Sequence, residues 1–284
     1  MFKMFKFKNE KQQSNNIPDE LIDNSLIHYS KVIINDISKY NQNDPKDLFD
    51  IHKKRVFCQN GEDGIIEYIF KVVSPMNKYY VEFGGWDGVH LSNTANLRIN
   101  NGWNGLLLEG NKDKVLSMKN RKEINLHNEF VTSDNINSLF QKYNVPKDFD
   151  LLSIDIDSND YYIWKALTEF RPTLVVVETN PGINNKLPLS VIENKANIFN
   201  KNGSTGNYFG ANLHAFYKLA NKKGYKLLTV NRWNAFFITD EKFKLFDINS
   251  ITKDEMLTKY CISEKYWVKR NKYIAPPYYW KIVD

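Results

Sequence analysis

The sequence predicts an α/β fold: a Rossmann-like, mostly parallel seven-stranded sheet with one antiparallel strand and helices on both faces. Three observations predict it. From Tyr79 onward, short apolar runs alternate with helical stretches, the pattern of a parallel sheet whose crossovers are helices. The run 173–178 is continuously apolar up to its final glutamate, as in a strand buried on both faces. The stretches 225–230 and 234–239 read as a closing hairpin, which brings one antiparallel strand into the sheet.

The elements follow in order. Apolar residues from Leu21 to Tyr40 recur at three and four, an amphipathic helix ahead of the main domain. Gly61-Glu62-Asp63-Gly64 opens a helix over 65–73 whose acidic first turn suits the positive end of the helix dipole. Strand one is 79–83, followed by a glycine-rich turn and a helix over 92–100. Strand two is 103–109 with a helix over 112–118, and strand three lies near 129–131 with a helix over 136–143. Strand four is 150–156 with a helix over 161–168, and strand five is 173–178. An Asn/Gly/Lys-rich loop, 180–210, leads to a helix over 213–223 that stops at Gly224. The chain divides into a disordered start (1–17), a helical addition (18–50), the main domain (51–240) and an aromatic, basic extension (241–284). That extension is expected to cover an open edge or a neighbouring subunit, which would make a homo-oligomer.

Composition narrows the classes. The 284 residues are 42% hydrophobic and 25% charged, an ordinary globular balance. The formal charge of +6 comes from lysines scattered among asparagines rather than gathered on one segment, so no nucleic-acid partner is expected. The positive charge would favour approach of an anionic or nucleotide-linked substrate. Two distant cysteines, Cys58 and Cys261, show neither zinc spacing nor a disulfide framework and point to a reducing cytoplasm. The start alternates Phe or Met with Lys, without the apolar core of a signal peptide, and no stretch has the length of a membrane span.

Four segments carry chemistry. In Val81-Glu82-Phe83-Gly84-Gly85-Trp86-Asp87-Gly88 a strand runs into glycines, which let backbone approach a ligand, ahead of a helix with free N–H groups. Gly84-Gly85-x-x-Gly88 departs from the dinucleotide spacing G-x-G-x-x-G, which argues against a dehydrogenase. Glu109, ending strand two, is placed to accept both hydroxyls of a ribose or else to cap a nearby helix. Asp155, Asp157 and Asp160 crowd the end of strand four, and period-2 alternation puts the first two on one face. Such carboxylates repel unless a cation or hydrogen-bond donors sit among them. Glu178 and Asn180 end strand five. With Asp155 or Asp157 they form an all-oxygen set for a divalent ion such as Mg²⁺ (Asp155, Glu178 and Asn180), or bond substrate hydroxyls directly.

These segments resemble the FkbM-like methyltransferases. Phe57-Cys58-Gln59-Asn60-Gly61-Glu62-Asp63-Gly64 carries the resemblance, as does 81–88 with Leu91-Ser92-Asn93-Thr94. So do 151–157 with Asn159-Asp160-Tyr161, Val177-Glu178-Thr179-Asn180, and Asn234-Ala235-Phe236-Phe237. It spans about residues 55 to 240, with Cys58 in place of a more usual Ser and Ser158 of a more usual Gly. The resemblance implies the class I methyltransferase fold, S-adenosylmethionine as cofactor, and methyl transfer to an oxygen of a sugar or other small metabolite. By association it implies a glycan or capsule pathway with sugar-nucleotide or glycan substrates. It implies that Glu82, Gly84 and Gly88 cradle the methionine part and that Glu109 holds the ribose. Ser133 and Asp134 would then meet the adenine, Gln59 and Glu62 the methionine end, and Asp155 would lie nearest the reacting methyl.

An acceptor hydroxyl must lose its proton during attack. Asp155 or Asp157 is the first candidate base, with His90 and His214 as alternatives. Trp86, Tyr161, Tyr162 and Trp164 are candidates to line the acceptor pocket, with Asp157, Asp160, Tyr161, Glu178 and Asn180 as substrate contacts. Two other readings stand beside this one: a nucleotide-binding oxidoreductase on the same architecture, and a non-catalytic binding module.

Overall fold

The computed structural model describes residues 48–118, 124–180, 185–193, 209–255 and 280–284. The expected disordered start, the helix near 21–40, Cys261, much of the 180–210 loop and most of the 241–284 extension lie outside the described residues.

A short 3₁₀ turn (Leu48–His52) precedes α1 (Glu62–Val73) and β1 (Tyr79–Phe83). Then come α2 (Ala95–Asn101), β2 (Asn104–Glu109), α3 (Lys112–Ser117), β3 (Leu126–Asn128), α4 (Ile136–Lys142) and β4 (Leu151–Ile154). After these follow α5 (Asp160–Ala166), β5 (Leu174–Glu178), β6 (Leu189–Val191), α6 (Leu213–Lys222), β7 (Tyr225–Asn231), β8 (Asn234–Thr239), α7 (Asp240–Phe243) and β9 (Trp280–Ile282). The main sheet has seven strands in the order β3-β2-β1-β4-β5-β8-β7. Strands β1 to β5 pair in parallel, and β8 is antiparallel to both β5 and β7. The expected architecture is the observed one. Among the described residues no helix is long and apolar enough to cross a membrane.

Period-2 alternation in the central strands explains the two helical layers. Val81 and Phe83 of β1, Leu152 and Ile154 of β4, and Val175 and Val177 of β5 face α4, α5 and α6, whose Phe140, Trp164 and Phe216 join the same core. Tyr80, Leu151, Leu174 and Val176 face the opposite side and meet Ile65, Ile66, Ile69 and Leu97 of α1 and α2. Both faces being apolar, the sheet is stable only when covered on both. A polar opening lies at the strand ends.

Three of the boundaries that differ from expectation have a local reason. Strand three is Leu126–Asn128, not 129–131. Leu126 pairs with Leu107, whereas the carboxylate of Glu129 is held by Lys142 and by Tyr143 Oη at 2.7 Å, beyond the strand. Helix α2 starts at Ala95 rather than at 92, because Ser92, Asn93 and Thr94 turn inward onto Glu82. Strand four ends at Ile154: Asp160 accepts N–H bonds from Ile156 and Ser158, and Asp157 takes φ 63°, which ends the extended run.

A second, two-stranded sheet was not expected. β9, near the chain end, pairs antiparallel with β6. Val283 is buried, and Tyr161 Oη donates to the carbonyl of Asp284 at 3.0 Å. This end of the extension therefore packs on its own chain.

Candidate active site

The strand tips meet because Gly84 lacks a side chain. It sits at φ +68°, and a Cβ there would lie 1.8 Å from the carbonyl oxygen of Asp155. The ends of β1 and β4 thus run against each other, at the point where the strand order reverses. In open α/β sheets ligands bind beside such a point. The glycine turn does not lead straight into a helix with free N–H groups, as the sequence suggested. A loop intervenes up to Thr94, with Trp86 and Leu91 in left-handed conformation, and the Ala95 amide is satisfied by Ser92 Oγ at 3.0 Å.

Buried carboxylates organise this loop and the one before α1. Glu82 accepts three hydrogen bonds, from Ser92 Oγ (2.6 Å), Asn93 N (2.8 Å) and Thr94 Oγ1 (2.7 Å). Burial outweighs these donors and pushes its carboxyl above the usual range. Asp63 Oδ2 accepts the amides of Val56, Phe57 and Cys58 at 2.8 to 2.9 Å, wrapping that segment round the helix start. Glu62 is also filled. It accepts from Asn60 N and from the side-chain amides of Asn231 and Asn234, which ties the turn to the β7–β8 hairpin. Burial pushes the Cys58 thiol up to about 12, so it stays protonated and unreactive.

Over the tips of β1, β2, β4 and β5 lies a cavity of about 970 Å³. Six carboxylates line it: Glu82, Glu109, Glu129, Asp155, Asp157 and Glu178. Among the described residues no lysine or arginine does. The lining is thus opposite in sign to the molecule's net charge, and the expected pull on an anionic substrate does not extend to it. Glu109 accepts from Trp86 N at 3.0 Å and from Asn111 N at 2.7 Å, so it braces both neighbouring loops while facing the cavity. Gln59, Gly84, Trp86 and His90 line the cavity too.

Several expected contacts are elsewhere. Glu62 and Gly88 do not line the cavity; a Cβ on Gly88 would meet Ile124 at 2.7 Å, so this glycine serves packing. Ser133, which donates to Glu193, and exposed Asp134 are also absent from the lining. Their place is taken by Glu129, Phe130 and Val131. Because β3 ends three residues earlier than predicted, these are the residues at its tip. Phe130, 43% exposed just past β3, is a lining residue that the sequence pattern did not single out. His214 is buried, with Nδ1 2.7 Å from the Asn185 carbonyl, and is not a lining residue. Asp160 caps the turn before α5, Tyr161 and Trp164 are core residues, and Tyr162 Oη donates to the Val191 carbonyl. Asn180 Nδ2 donates to the Phe209 carbonyl, and the residue is buried outside the cavity lining.

What remains at the floor is Asp155, Asp157 and Glu178, with one oxygen from each lying within 4.8 Å of the others. Asp157 stands where Asn180 was expected in the oxygen set. Solvent reaches Asp155 and Asp157 through the cavity, yet dense protein surrounds them. Asp155 is pushed up to about 8, first by burial and then by the charges of Asp157 and Asp160. Burial, and then the charge of Asp155, also drives Glu178 upward. The two face each other, so their titrations are linked.

No protein-family model matches the chain, and a search of curated proteins finds no significant match. Among solved structures the chain is similar to the CurJ carbon methyltransferase (TM-score 0.38, 9% identity, 62% of this chain and 52% of that one). It is similar to the methyltransferase domain of the citrinin polyketide synthase (0.38, 12%, 62% and 50%). A third is an S-adenosylmethionine-dependent methyltransferase from Clostridium acetobutylicum ATCC 824 (0.37, 11%, 63% and 90%). The chain spans about half the length of the first two. The scores are low, and the fold assignment rests on the strand order and the single antiparallel strand. This is the Rossmann-like class I methyltransferase fold. The likeness extends to architecture alone.

Proposed function

We propose that the chain is an S-adenosylmethionine-dependent methyltransferase acting on a small molecule, with residues 51–240 as its methyltransferase domain. The observation that carries this reading is the acidic cavity at the switch point between β1 and β4. S-adenosylmethionine offers a sulfonium and an ammonium beside a ribose diol, and carboxylates without a facing lysine or arginine suit all three. A dinucleotide's diphosphate would meet repulsion there, which counts against the oxidoreductase reading. The volume, near the upper end of the roughly 300–1,000 Å³ of small-molecule sites, leaves space for an acceptor beside the cofactor.

In this reading Glu109 takes the ribose hydroxyls and Phe130 faces the adenine, in place of Ser133 and Asp134. Gln59 meets the methionine end, while Glu82 and Gly84 hold the loops that shape that part of the site. When bound, the cofactor supplies an activated methyl group, so the chain's residues have mainly to align the acceptor and take its proton. The Asp155–Glu178 pair is the base: once ionised, a carboxylate with a raised pKa is a stronger base than an ordinary one, so transfer is expected to rise with pH as the pair loses its proton. Oxygen as the methylated atom, and a glycan pathway, are supported only by the FkbM-like motifs. Assays in EDTA and in Mg²⁺ separate a cluster neutralised by a proton from one neutralised by a divalent cation.

Calorimetric titration with S-adenosylmethionine and S-adenosylhomocysteine tests the reading. One site per chain is expected for each. Absence of heat with both, at protein concentrations of order 10⁻⁴ M, would rule it out.

A further inference from the structure

Trp86 holds φ 49°, a left-handed backbone conformation that a bulky side chain rarely takes. Its indole is 45% exposed and lines the cavity. Leu91 and Phe130, also partly exposed, line the same cavity, and exposed apolar side chains grouped in this way mark ligand-binding grooves. Four contacts fix the indole, and they close into a circuit. Glu109 Oε2 accepts Trp86 N at 3.0 Å, and Glu109 Oε1 accepts Asn111 N at 2.7 Å. Asn111 Oδ1 accepts the amides of Asp113 and Lys114 at 3.1 and 3.2 Å, which caps α3. Lys114 Nζ then returns to the indole, 3.9 Å from the ring centroid. Trp86 lines the cavity and Lys114 does not, so the ammonium covers the outer face of the ring and leaves the inner face to a ligand.

We infer that Trp86 is a wall of the cofactor's ribose subsite, not of the acceptor pocket where the sequence alone put it. The inference rests on the methyltransferase reading and adds a positioning residue to it. The deciding observation is a shared carboxylate: the group that holds the Trp86 amide is Glu109, the group that takes the ribose hydroxyls in that reading. Each carboxylate oxygen offers two lone-pair sites, and each oxygen of Glu109 gives one of them to an amide and keeps the other. The two amides therefore orient the carboxylate, and the residue supplying one of them carries the indole beside it. A ribose held on Glu109 has this ring as its neighbour. The ring keeps water from the hydroxyl–carboxylate bonds, and hydrogen bonds are stronger in such a low-dielectric setting. Backbone strain persists where surrounding contacts over-determine it, as they do at ligand clamps. At Trp86 those contacts are Glu109 on the amide and Lys114 on the ring.

The test is binding of two ligands to the full chain. S-adenosylhomocysteine is titrated by calorimetry, and 5′-methylthioadenosine, which shares the adenosine but lacks the amino-acid part, is read by displacement of it. Trp86→Ala is expected to weaken both by the same factor, roughly tenfold. Trp86→Phe keeps a ring and is expected to stay within about threefold of the unsubstituted chain. Indole emission is the second readout: saturation with S-adenosylhomocysteine is expected to change it in the unsubstituted chain and to leave it unchanged in Trp86→Phe. Should Trp86→Ala not fold, the emission of Trp86→Phe decides alone. Unaltered affinity for both ligands in Trp86→Ala overturns the inference, as does a loss for S-adenosylhomocysteine alone, which would put the ring at the methionine end. A Phe variant as weak as the Ala one, no emission change in the unsubstituted chain, or a change that survives in Trp86→Phe overturns it too. If neither ligand binds the unsubstituted chain, the methyltransferase reading has failed instead.

Discussion

Two groups of carboxylates sit at the same end of the same sheet, and they do different work. Around the β1 tip and the start of α1, Glu62, Asp63 and Glu82 each accept two or more donors from their own chain, Asp63 through Oδ2 alone. At the β4 and β5 tips, no such donor among the described residues meets Asp155, Asp157 or Glu178. A buried carboxylate filled with N–H and O–H donors fixes a loop, and its removal leaves those donors unpaired in the interior. Acids crowded together without donors hold an unfavourable arrangement that a cationic ligand or a shared proton relieves. In the proposed reading, donor supply, rather than burial or residue type, separates scaffold from chemistry.

Substitution across the two groups tests that separation. Asp155→Asn is expected to lower methyl transfer by about 10²-fold or more while leaving the melting temperature unchanged or raised, since it removes a repelling charge and a proton acceptor. A large loss of melting temperature with modest loss of rate would place Asp155 in the scaffold. Glu82→Ala is expected to show the reverse balance. Three buried donors lose their acceptor, a cost of about 3 kcal/mol, and thermal unfolding should move down by roughly 6–12 °C. Circular dichroism melts read this directly, and an unchanged melt would show that loop 92–94 is held by something else.

A third effect is pH-dependent. Asp155 is raised to about 8 and Glu178 is raised with it, against ordinary carboxylates near about 4 in the unfolded chain. A carboxyl raised by folding favours its protonated form. Its contribution is therefore fully present below the unfolded pKa and is lost as pH rises through the folded one. The ligand-free protein should lose stability relative to Asp155→Asn between about pH 5 and about pH 8. A difference that stays flat with pH, or grows the other way, would mean the pair is ionised throughout.

How much of this was legible in the sequence follows from the same contrast. The succession of strands and helices, the closing hairpin and the acids at strand ends were readable, because apolar alternation and its interruptions are local. Glu109, Asp155 and Glu178 all line the cavity as their strand-end positions suggested. The roles of Glu62 and Gly88 were not legible. Glu62 is filled by Asn231 and Asn234, nearly the length of the domain away, and Gly88 packs on Ile124 of a different crossover. Phe130 was hidden because β3, at the sheet edge, has only three residues and half-buried side chains at best, so its pattern is too short to place its end. The β6–β9 sheet pairs segments about 90 residues apart, beyond any local pattern.

The most direct measurement is a crystal structure of the chain with S-adenosylhomocysteine. The account predicts the ribose hydroxyls on Glu109, the adenine against Phe130, and the sulfur directed toward Asp155 and Glu178. A ligand bound away from the β1, β2 and β4 tips, or seated with its ribose at the Asp155–Glu178 pair, would contradict it.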